Sequence, residues 1–270
     1  MSQLQLSISE HTSKGRKEIN QDFHDIRIPA EPLIHTKGVA IAMADGISSS
    51  KVSQEASKVS VSYFLQDYFS TSEAWSVKKS AQRVIQATNS WIYAQNRQNL
   101  YHLDKDRGYV CTFSAMVIKS RTAYLFHIGD IRIYRLREGV LEQLTEDHRT
   151  WISKEKSYLA RALGIDVNVR VDYEKLDVDE GDIYLFMTDG VYEFVDHDWM
   201  VEKLYEENET FESKAKEIVQ NAFDEGSDDN LSIQIVRVDT LPEKNSEEIQ
   251  QELSQKPLPP LLQARMEIDG

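Results

Sequence analysis

The chain has 270 residues and a formal net charge of −14, from 31 Lys and Arg side chains against 45 Asp and Glu side chains. This acidity argues against a nucleic-acid backbone as the partner, and no apolar run approaches the ~18 residues of a membrane span. The single cysteine, Cys111, excludes an intramolecular disulfide, and the N-terminus lacks a signal-peptide pattern, so we expect a reducing, cytoplasmic setting.

The first part of the chain changes between the period of a strand and that of a helix. Apolar residues alternate with polar ones over residues 4–8, which is typical of a strand with one buried face. Residues 39–43 are all apolar and end at Asp45-Gly46, which predicts a buried strand followed by a turn. Apolar residues at helical spacing then predict two helices, over 52–69 and 75–95.

The second part of the chain returns to strands. Period-two patterns or short apolar runs predict strands over 111–117, 124–128, 131–136, 140–144, 183–187 and 231–235. Glu138-Gly139 predicts a hairpin turn, and helices are expected over 199–205 and 212–223. Strands that cluster and helices that come in pairs predict an α+β layered architecture of antiparallel sheets flanked by helix pairs.

The C-terminal stretch differs from the rest in composition. Four of the six prolines fall after residue 239, and no aromatic residue follows that point. Such a segment buries little apolar surface. We therefore predict a folded domain over 1–238 and a Pro/Glu/Gln-rich flexible tail or linker over 239–270.

Aspartates recur at the ends of the predicted strands, often beside a glycine. They stand in the segments Asn20-Gln21-Asp22, Asp45-Gly46, Gly129-Asp130, Asp189-Gly190 and Asp228-Asp229-Asn230. Any one of them alone is typical of a turn. Carboxylates that approach one another raise each other's pKa unless a cation neutralises them, and oxygen-only ligands favour magnesium or manganese. The set therefore indicates a site for hard divalent cations, and no His/Cys spacing indicates zinc.

The motifs GRKEINQD, MADG, HIGDIRIYRL, LTEDH, LARALG, MTDG and SDDNLS follow one another along the chain. In this order they resemble the bacterial type 2C metal-dependent serine/threonine protein phosphatases, the PPM family, over about residues 1–238. The resemblance implies a four-layer α-β-β-α sandwich of two antiparallel sheets, each covered by a helix pair. It also implies hydrolysis of phosphoserine and phosphothreonine on proteins in bacterial signalling, with two or three manganese or magnesium ions.

The resemblance implies a role for each aspartate. The implied metal ligands are Asp22, Asp45, Gly46 through its carbonyl, Asp130, Asp189 and Asp229. Asp45 would bridge two cations, Asp130 would help hold a third, and the amide of Asn230 would orient Asp229. A hydroxide between the two cations would attack phosphorus in line with the leaving oxygen, with Asp22 and Asp45 in the catalytic centre. Because no phosphoenzyme is needed, Cys111 is expected in the core.

The chain departs from the family pattern at the phosphate-binding position. The family places an arginine five residues before the first Asp, where this chain has Lys17, with Arg16 one residue further away. We expect one of these two cations to bind the substrate phosphate and favour Arg16, because lysine lacks the bidentate fork. Ile47 stands where eukaryotic members have a histidine, so the general acid is unassigned among His24, His35, His148 and water.

A second departure is the short segment between the TEDH and LARALG motifs, residues 149–158, here called the flap. Many bacterial members have a longer flap, which influences substrate choice and the third cation. A short flap predicts a more open cleft and bears on the role of Asp130. The chain also ends in Met266-Glu267-Ile268-Asp269-Gly270, a segment of the kind that opens the kinase half in phosphatase–kinase fusions.

The partners expected are therefore a phosphorylated protein and a Ser/Thr kinase, fused or separate, without nucleic acid or a membrane span. Two readings from other classes stay open at this point. One is a non-catalytic phosphatase-like module that binds a partner or regulates an attached kinase, and the other is a metal phosphodiesterase or nuclease. The intact set of Asp22, Asp45, Asp189 and Asp229 favours catalysis, and the acidic balance counts against a nuclease.

Overall fold

The computed structural model describes residues 3–98, 107–153 and 156–243. The strands are β1 Gln5–Ser13, β2 Asp22–Arg27, β3 Val39–Asp45, β4 Phe113–Lys119, β5 Thr122–Ile128, β6 Arg132–Arg137, β7 Val140–Gln143, β8 Arg149–Ser153, β9 Lys156–Leu159, β10 Asp172–Asp177, β11 Ile183–Met187 and β12 Leu231–Thr240. The helices are α1 Leu33–Thr36, α2 Ser53–Ser70, α3 Val77–Gln98, α4 Asp189–Tyr192, α5 His197–Tyr205 and α6 Phe211–Asp224.

Ten of these strands form two five-stranded antiparallel sheets. One has the order β1-β12-β11-β6-β7 and the other the order β10-β5-β4-β3-β2. We call them the first sheet and the second sheet. The strands β8 and β9 pair separately as a hairpin that contains the flap. The predicted α+β architecture is confirmed, and so are the strands and helices placed by periodicity.

The two sheets face each other across an apolar core. Residues Val39, Ile41 and Met43 of β3 are buried against Tyr184 and Phe186 of β11 in this inner layer. The residues between them, Ala40, Ala42 and Ala44, are buried on the other face of β3, under the helices. A strand covered on both faces has no polar side, which is why this segment reads as a continuous apolar run.

Each sheet carries helices on its outer face. On the second sheet, α2 and α3 bury Phe64 and Ile85 against Phe113 and Phe126. On the first sheet, α5 and α6 cover β11 and β12 and bury, for example, Ile218. Burying one such side chain contributes about 1.5–3 kcal/mol, so these three apolar layers dominate the stability of the fold. Within the described part of the chain, none of the helices combines the length and apolarity that crossing a membrane requires.

Three regions differ from the sequence predictions. The strands β2 and β10 and the β8–β9 hairpin were not predicted, because their short, charge-rich sequences lack a clear apolar alternation. The strand β12 continues to Thr240, and Leu241 is buried, so the folded part passes the expected boundary at residue 238. Most of the predicted tail, from residue 244 onward, lies outside the described residues, as does the MEIDG segment.

Candidate metal centre

The first two aspartates meet because of strand register. Asp22 begins β2 and Asp45 ends β3, and the antiparallel register pairs them directly with each other. The backbone of Asp45 is fixed from the other side, because its carbonyl accepts the Thr112 N–H at 2.8 Å. Directly paired residues on neighbouring strands have their Cβ atoms about 5 Å apart, so two carboxylates share one end of the second sheet.

The carboxylate of Asp22 also joins the two sheets. Its Oδ2 accepts hydrogen bonds from the Ser232 hydroxyl at 2.7 Å and from the Thr188 hydroxyl at 3.1 Å, both in the first sheet's strand ends. Its Oδ1 is buried and has no hydrogen-bond partner. A buried carboxylate oxygen without a partner is costly, and a cation is the group that would satisfy it.

The other three aspartates lie next to strand ends of the first sheet. Asp189 begins α4 directly after β11, Asp229 precedes β12, and Asp130 lies between β5 and β6. Burial and the charges of Asp22, Asp189, Asp130 and Asp229 raise the pKa of Asp45 well above its usual range. The tertiary structure therefore places the other four aspartates that the sequence indicated as ligands near enough to Asp45 to act on it electrostatically.

Burial has the same effect on two further carboxyl groups. It raises the pKa of Asp22 to about 6, against the side chains of Ser232, Asp45 and Thr188, which lower it. It raises the pKa of Asp189 to about 7, with Asp130 adding to the effect and Arg149 opposing it. Carboxylates in this state repel one another in a poorly solvated place, which is the electrostatic condition that favours binding of a multivalent cation.

The side chain of Arg149 lies on the outer carboxylates of this cluster. Its Nε donates to Asp130 Oδ2 at 2.6 Å, its Nη2 to Asp189 Oδ2 at 2.7 Å and its Nη1 to Glu193 Oε1 at 2.8 Å. Arg149 is the first residue of β8, at the base of the flap. Sequence analysis did not single out Arg149 or Glu193, since a charged residue in a loop carries no signal of its own.

The two candidate phosphate-binding cations point to different places. The Lys17 Nζ lies 3.2 Å from Asp229 Oδ2 and 3.2 Å from the Ser48 hydroxyl. The Arg16 guanidinium instead donates to the carbonyls of Ser227 and Phe223 and covers the Phe223 ring at 4.1 Å. The sequence favoured Arg16, but the structure brings Lys17, not Arg16, to the carboxylate cluster.

The side chain of Asn230 has a structural role that differs from the expected one. Its Oδ1 accepts the Gln21 N–H at 2.8 Å, and its Nδ2 donates to the carbonyls of Lys14 and Ile19. The expectation that this amide orients Asp229 is therefore wrong. The contact to Asp229 Oδ1, at 2.8 Å, comes from the backbone N–H of Asn230. The amide holds the loop that carries Lys17 and leads into Asp22.

Two glycines allow the backbone to pack closely around the cluster. A Cβ on Gly46 would lie 2.8 Å from Ser53 at the start of α2. A Cβ on Gly190 would overlap the carbonyl oxygen of Asn230. These close approaches explain why each Asp-Gly pair ends its strand as it does, since no other residue fits.

The three histidines considered as general acids lie away from the cluster or behind it. His24 pairs with Glu10, and His35 lies near Glu31. His148 accepts the Gly129 N–H at Nδ1 and contacts Asp172 through Nε2 at 2.8 Å, so it supports the Gly129-Asp130 loop from behind. The structure leaves the general acid unassigned.

The lone thiol, Cys111, is fully buried in the core under α2, as expected. Its Sγ lies 3.2 Å from the Ser60 hydroxyl. Burial raises its pKa to about 12, which removes it from consideration as a nucleophile.

The donor set fits a hard divalent cation, because it consists of carboxylate oxygens and includes the unpartnered Asp22 Oδ1. Among the described residues, no three Asp, Glu, His or Cys side chains stand together as a ready-made metal site. Arg149 and Lys17 hold outer oxygens of Asp130, Asp189 and Asp229.

Sequence analysis also missed Thr188 and Ser232, the two hydroxyls on Asp22. A usable signal exists for the second of them. Ser232 and Gln234 are fully buried polar residues that alternate with the apolar residues of β12. Polar groups buried in an apolar strand need partners, so their positions mark a polar site next to the sheet.

Comparisons with known proteins show the family of this chain. The sequence profile of the family described as Protein phosphatase 2C matches residues 10–235. The serine/threonine phosphatase stp of Listeria monocytogenes serotype 4b (strain F2365) is 28% identical over 219 residues, which cover 74% of this chain and 84% of that relative. The family profile thus spans both sheets, all the helices and all the aspartates of the cluster.

Solved structures show the same fold. The S. agalactiae serine/threonine phosphatase superposes with a TM-score of 0.75 at 23% identity, over 87% of this chain and 100% of that chain. The catalytic domain of the serine/threonine protein phosphatase PstP, solved in complex with 2 manganese ions, gives a TM-score of 0.71 at 24% identity, over 88% and 100%. At such identities the structural similarity shows the fold alone. Membership of the family is shown by the sequence profile, which matches residues 10–235. The chain belongs to the protein phosphatase 2C family.

Proposed function

We propose that the chain hydrolyses phosphoserine and phosphothreonine on proteins at the aspartate cluster, with manganese or magnesium as cofactor. The observation that carries this proposal is the buried, unpartnered Oδ1 of Asp22 among four further aspartates. A phosphoryl group needs positive charge around its oxygens, and this cluster is built to hold that charge. A non-catalytic module would have no need to keep such a costly set of carboxylates.

The cations would be held by Asp22 and Asp45, with Asp189 and Asp229 from the first sheet and the Gly46 carbonyl as further ligands. Bound there, they would offset the charge of the phosphoryl oxygens. They would also lower the pKa of water, so that hydroxide is available near neutral pH to attack phosphorus. Asp22 itself is kept in one orientation by the hydroxyls of Ser232 and Thr188. This fixed orientation supports Asp22 as a ligand that needs little rearrangement.

We propose Lys17, rather than Arg16, as the cation that binds the substrate phosphate. The Lys17 side chain is about one third exposed, at 32%, and its ammonium already lies at a carboxylate of the cluster. An ammonium so placed can move from Asp229 to a phosphate oxygen when cations neutralise that carboxylate. Arg16 supports this loop by its contacts with the end of α6.

The wider setting is also part of the proposal. The substrate is a phosphoprotein, and the enzyme that makes it is a Ser/Thr kinase, either fused to this chain or separate. A reducing, cytoplasmic setting agrees with the single buried thiol of Cys111.

Hydrolysis of para-nitrophenyl phosphate and of a phosphothreonine peptide tests the proposal. The full chain is assayed with Mn²⁺, Mg²⁺ or chelator beside two neighbouring variants, Asp229→Asn and Asp228→Asn. Asp229 belongs to the cluster, whereas Asp228 is exposed beside it, so the pair differs in location and little else. We expect metal-dependent turnover that is lost in Asp229→Asn and kept in Asp228→Asn.

Absence of turnover with every metal, in a protein with a normal circular dichroism spectrum, would contradict the proposal. It would then favour the non-catalytic module. Cleavage of a phosphodiester in preference to both monoesters would instead favour the phosphodiesterase reading.

A further inference from the structure

The guanidinium of Arg149 forms three ion pairs in the cluster, and the proposed reaction gives this side chain no role. Each of its three nitrogens binds a different carboxylate, those of Asp130, Asp189 and Glu193, at 2.6–2.8 Å. Asp130 comes from the β5–β6 loop, Asp189 and Glu193 from the start of α4 and from the residue after it, and Arg149 from the flap. The Arg149 side chain is only 14% exposed. One buried cation thus joins three segments around one side of the site.

These contacts are stronger than those of a surface ion pair. An arginine guanidinium keeps its positive charge at every pH at which the protein is folded. Charge-assisted hydrogen bonds of this length are about twice as strong as neutral ones. The partner carboxylates of Asp130 and Asp189 are themselves only 11% and 27% exposed, so water screens the interaction little.

The occupied oxygens are the ones that a cation on this side would need. Asp130 Oδ2 and Asp189 Oδ2 each accept a nitrogen of Arg149. A divalent cation placed between these two oxygens would lie next to the guanidinium, and the two positive charges would repel each other. Asp22 and Asp45, on the other side, have no contact with Arg149 among the described hydrogen bonds and ion pairs.

We infer that Arg149 is a built-in cation of this site that takes the place of a third divalent ion between Asp130 and Asp189, so that the chain binds two divalent cations and not three. This inference rests on the proposed function, since it concerns the same carboxylate cluster. Some of its carboxylates would bind divalent cations, and the others pair with the arginine. Arg149 is a positioning residue here. It neutralises Asp130 and ties the base of the flap to α4 without touching the reacting atoms.

Counting bound Mn²⁺ per chain tests the inference without any activity measurement. Full-length protein is dialysed to equilibrium against Mn²⁺ and analysed for metal, as wild type, Arg149→Gln, Arg149→Lys and Arg135→Gln. Arg135 pairs with Glu142 on the β6–β7 hairpin, at 2.5 Å, so Arg135→Gln is a matched loss of one ion pair outside the cluster. Circular dichroism and thermal melting establish that each variant is folded.

We expect two Mn²⁺ ions in the wild type and in Arg135→Gln, and three in Arg149→Gln. Arg149→Lys keeps the positive charge and is expected to bind two. Two ions in both the wild type and Arg149→Gln, or three in Arg149→Lys, would overturn the inference and leave the proposed function intact. No Mn²⁺ in any folded protein would overturn the proposed function itself. If Arg149→Gln does not fold, the wild-type count still decides, because three ions there would contradict the inference.

Discussion

The carboxylate of Asp22 is oriented by two hydroxyls that belong to the opposite sheet. Ser232 and Thr188 both donate to Oδ2, which leaves Oδ1 directed away from them and without a partner. At the scale of the residue, the site therefore depends on side chains that carry no charge. Groups that hold a ligand in place typically change metal affinity by 10–100-fold when removed.

Ser232→Ala should weaken Mn²⁺ binding by about tenfold, because Asp22 loses its 2.7 Å hydrogen bond and rotates more freely. Calorimetric titration with Mn²⁺ measures this change. Ser7→Ala is the matched control, since the Ser7 hydroxyl donates to Asp239 at the same distance, 2.7 Å, on the far part of β1. Equal Mn²⁺ affinity in the wild type and Ser232→Ala would contradict the role given to this hydroxyl.

Lys17→Ala and Arg16→Ala should have separate effects. Lys17→Ala should raise KM for a phosphopeptide about tenfold, since one charge-assisted hydrogen bond contributes about 1.5 kcal/mol. Arg16→Ala should leave KM unchanged but lower the free energy of unfolding by about 1 kcal/mol, because Arg16 covers Phe223 and binds two carbonyls. Steady-state kinetics and urea unfolding measure the two quantities. A raised KM in Arg16→Ala alone would restore the arginine as the phosphate ligand.

At the scale of the element, the site is made where strands stop. The strand β11 ends at Met187, and Thr188 leads directly into α4 with Asp189 as its first residue. This abrupt change needs Gly190, whose missing side chain lets α4 lie against the Asn230 carbonyl at the start of β12. The strand end, the short helix and the next strand are thus fitted to each other around one aspartate.

Gly190→Ala should abolish phosphatase activity and reduce stability, although alanine is the better helix former. The added Cβ would displace α4 from Asn230 and move Asp189 with it. Gly139→Ala is the control, since a Cβ there meets nothing within 4 Å and only the positive φ of 82° opposes it. That variant should keep its activity and lose about 1–2 kcal/mol. Normal turnover by Gly190→Ala would show that α4 tolerates the displacement.

At the scale of the whole molecule, carboxylates at the ends of the two sheets repel one another, and this repulsion lowers the stability of the folded protein. Burial raises the pKa of Asp22 to about 6 and that of Asp189 to about 7, with hydrogen bonds and Arg149 opposing the rise. In the unfolded chain these groups ionise near pH 4. Between about pH 4 and pH 7 these two carboxyl groups therefore bind more protons in the folded protein than in the unfolded one, so their contribution to stability falls as the pH rises.

The melting temperature in chelator should accordingly decrease from pH 5 to pH 8, and Mn²⁺ should restore more stability at pH 8 than at pH 5. Asp45→Asn should flatten this decrease in chelator, because it removes the carboxylate that all the others repel. For a chain of this size, each kcal/mol corresponds to a change of about 2–4 °C. Differential scanning calorimetry measures the effect, with Asp228→Asn as the control. A melting temperature in chelator that does not change with pH would show that repulsion between the carboxylates does not lower the stability of the folded protein.

Periodicity alone placed most strands and helices, since burial on one or both faces leaves a readable pattern. The continuous run of β3 and the Glu138-Gly139 turn, with φ of 50° and 82°, are examples. The strands β2 and β10 escaped prediction because charged residues interrupt them. Three of the aspartates, Asp45, Asp130 and Asp189, were visible because each stands beside a glycine next to an apolar strand.

The sequence by itself determined the layered α+β fold and the candidate aspartates, because these follow from local patterns of apolar residues and turns. The family followed from the ordered set of motifs that the chain shares with it. Only the tertiary structure decided which cations meet these aspartates. It turned Lys17 toward the cluster and Arg16 toward α6, and it brought Arg149 and Ser232 to acids that are distant in the chain. Long-range pairing of charges and hydroxyls depends on how strand ends and loops pack, which no local sequence pattern records.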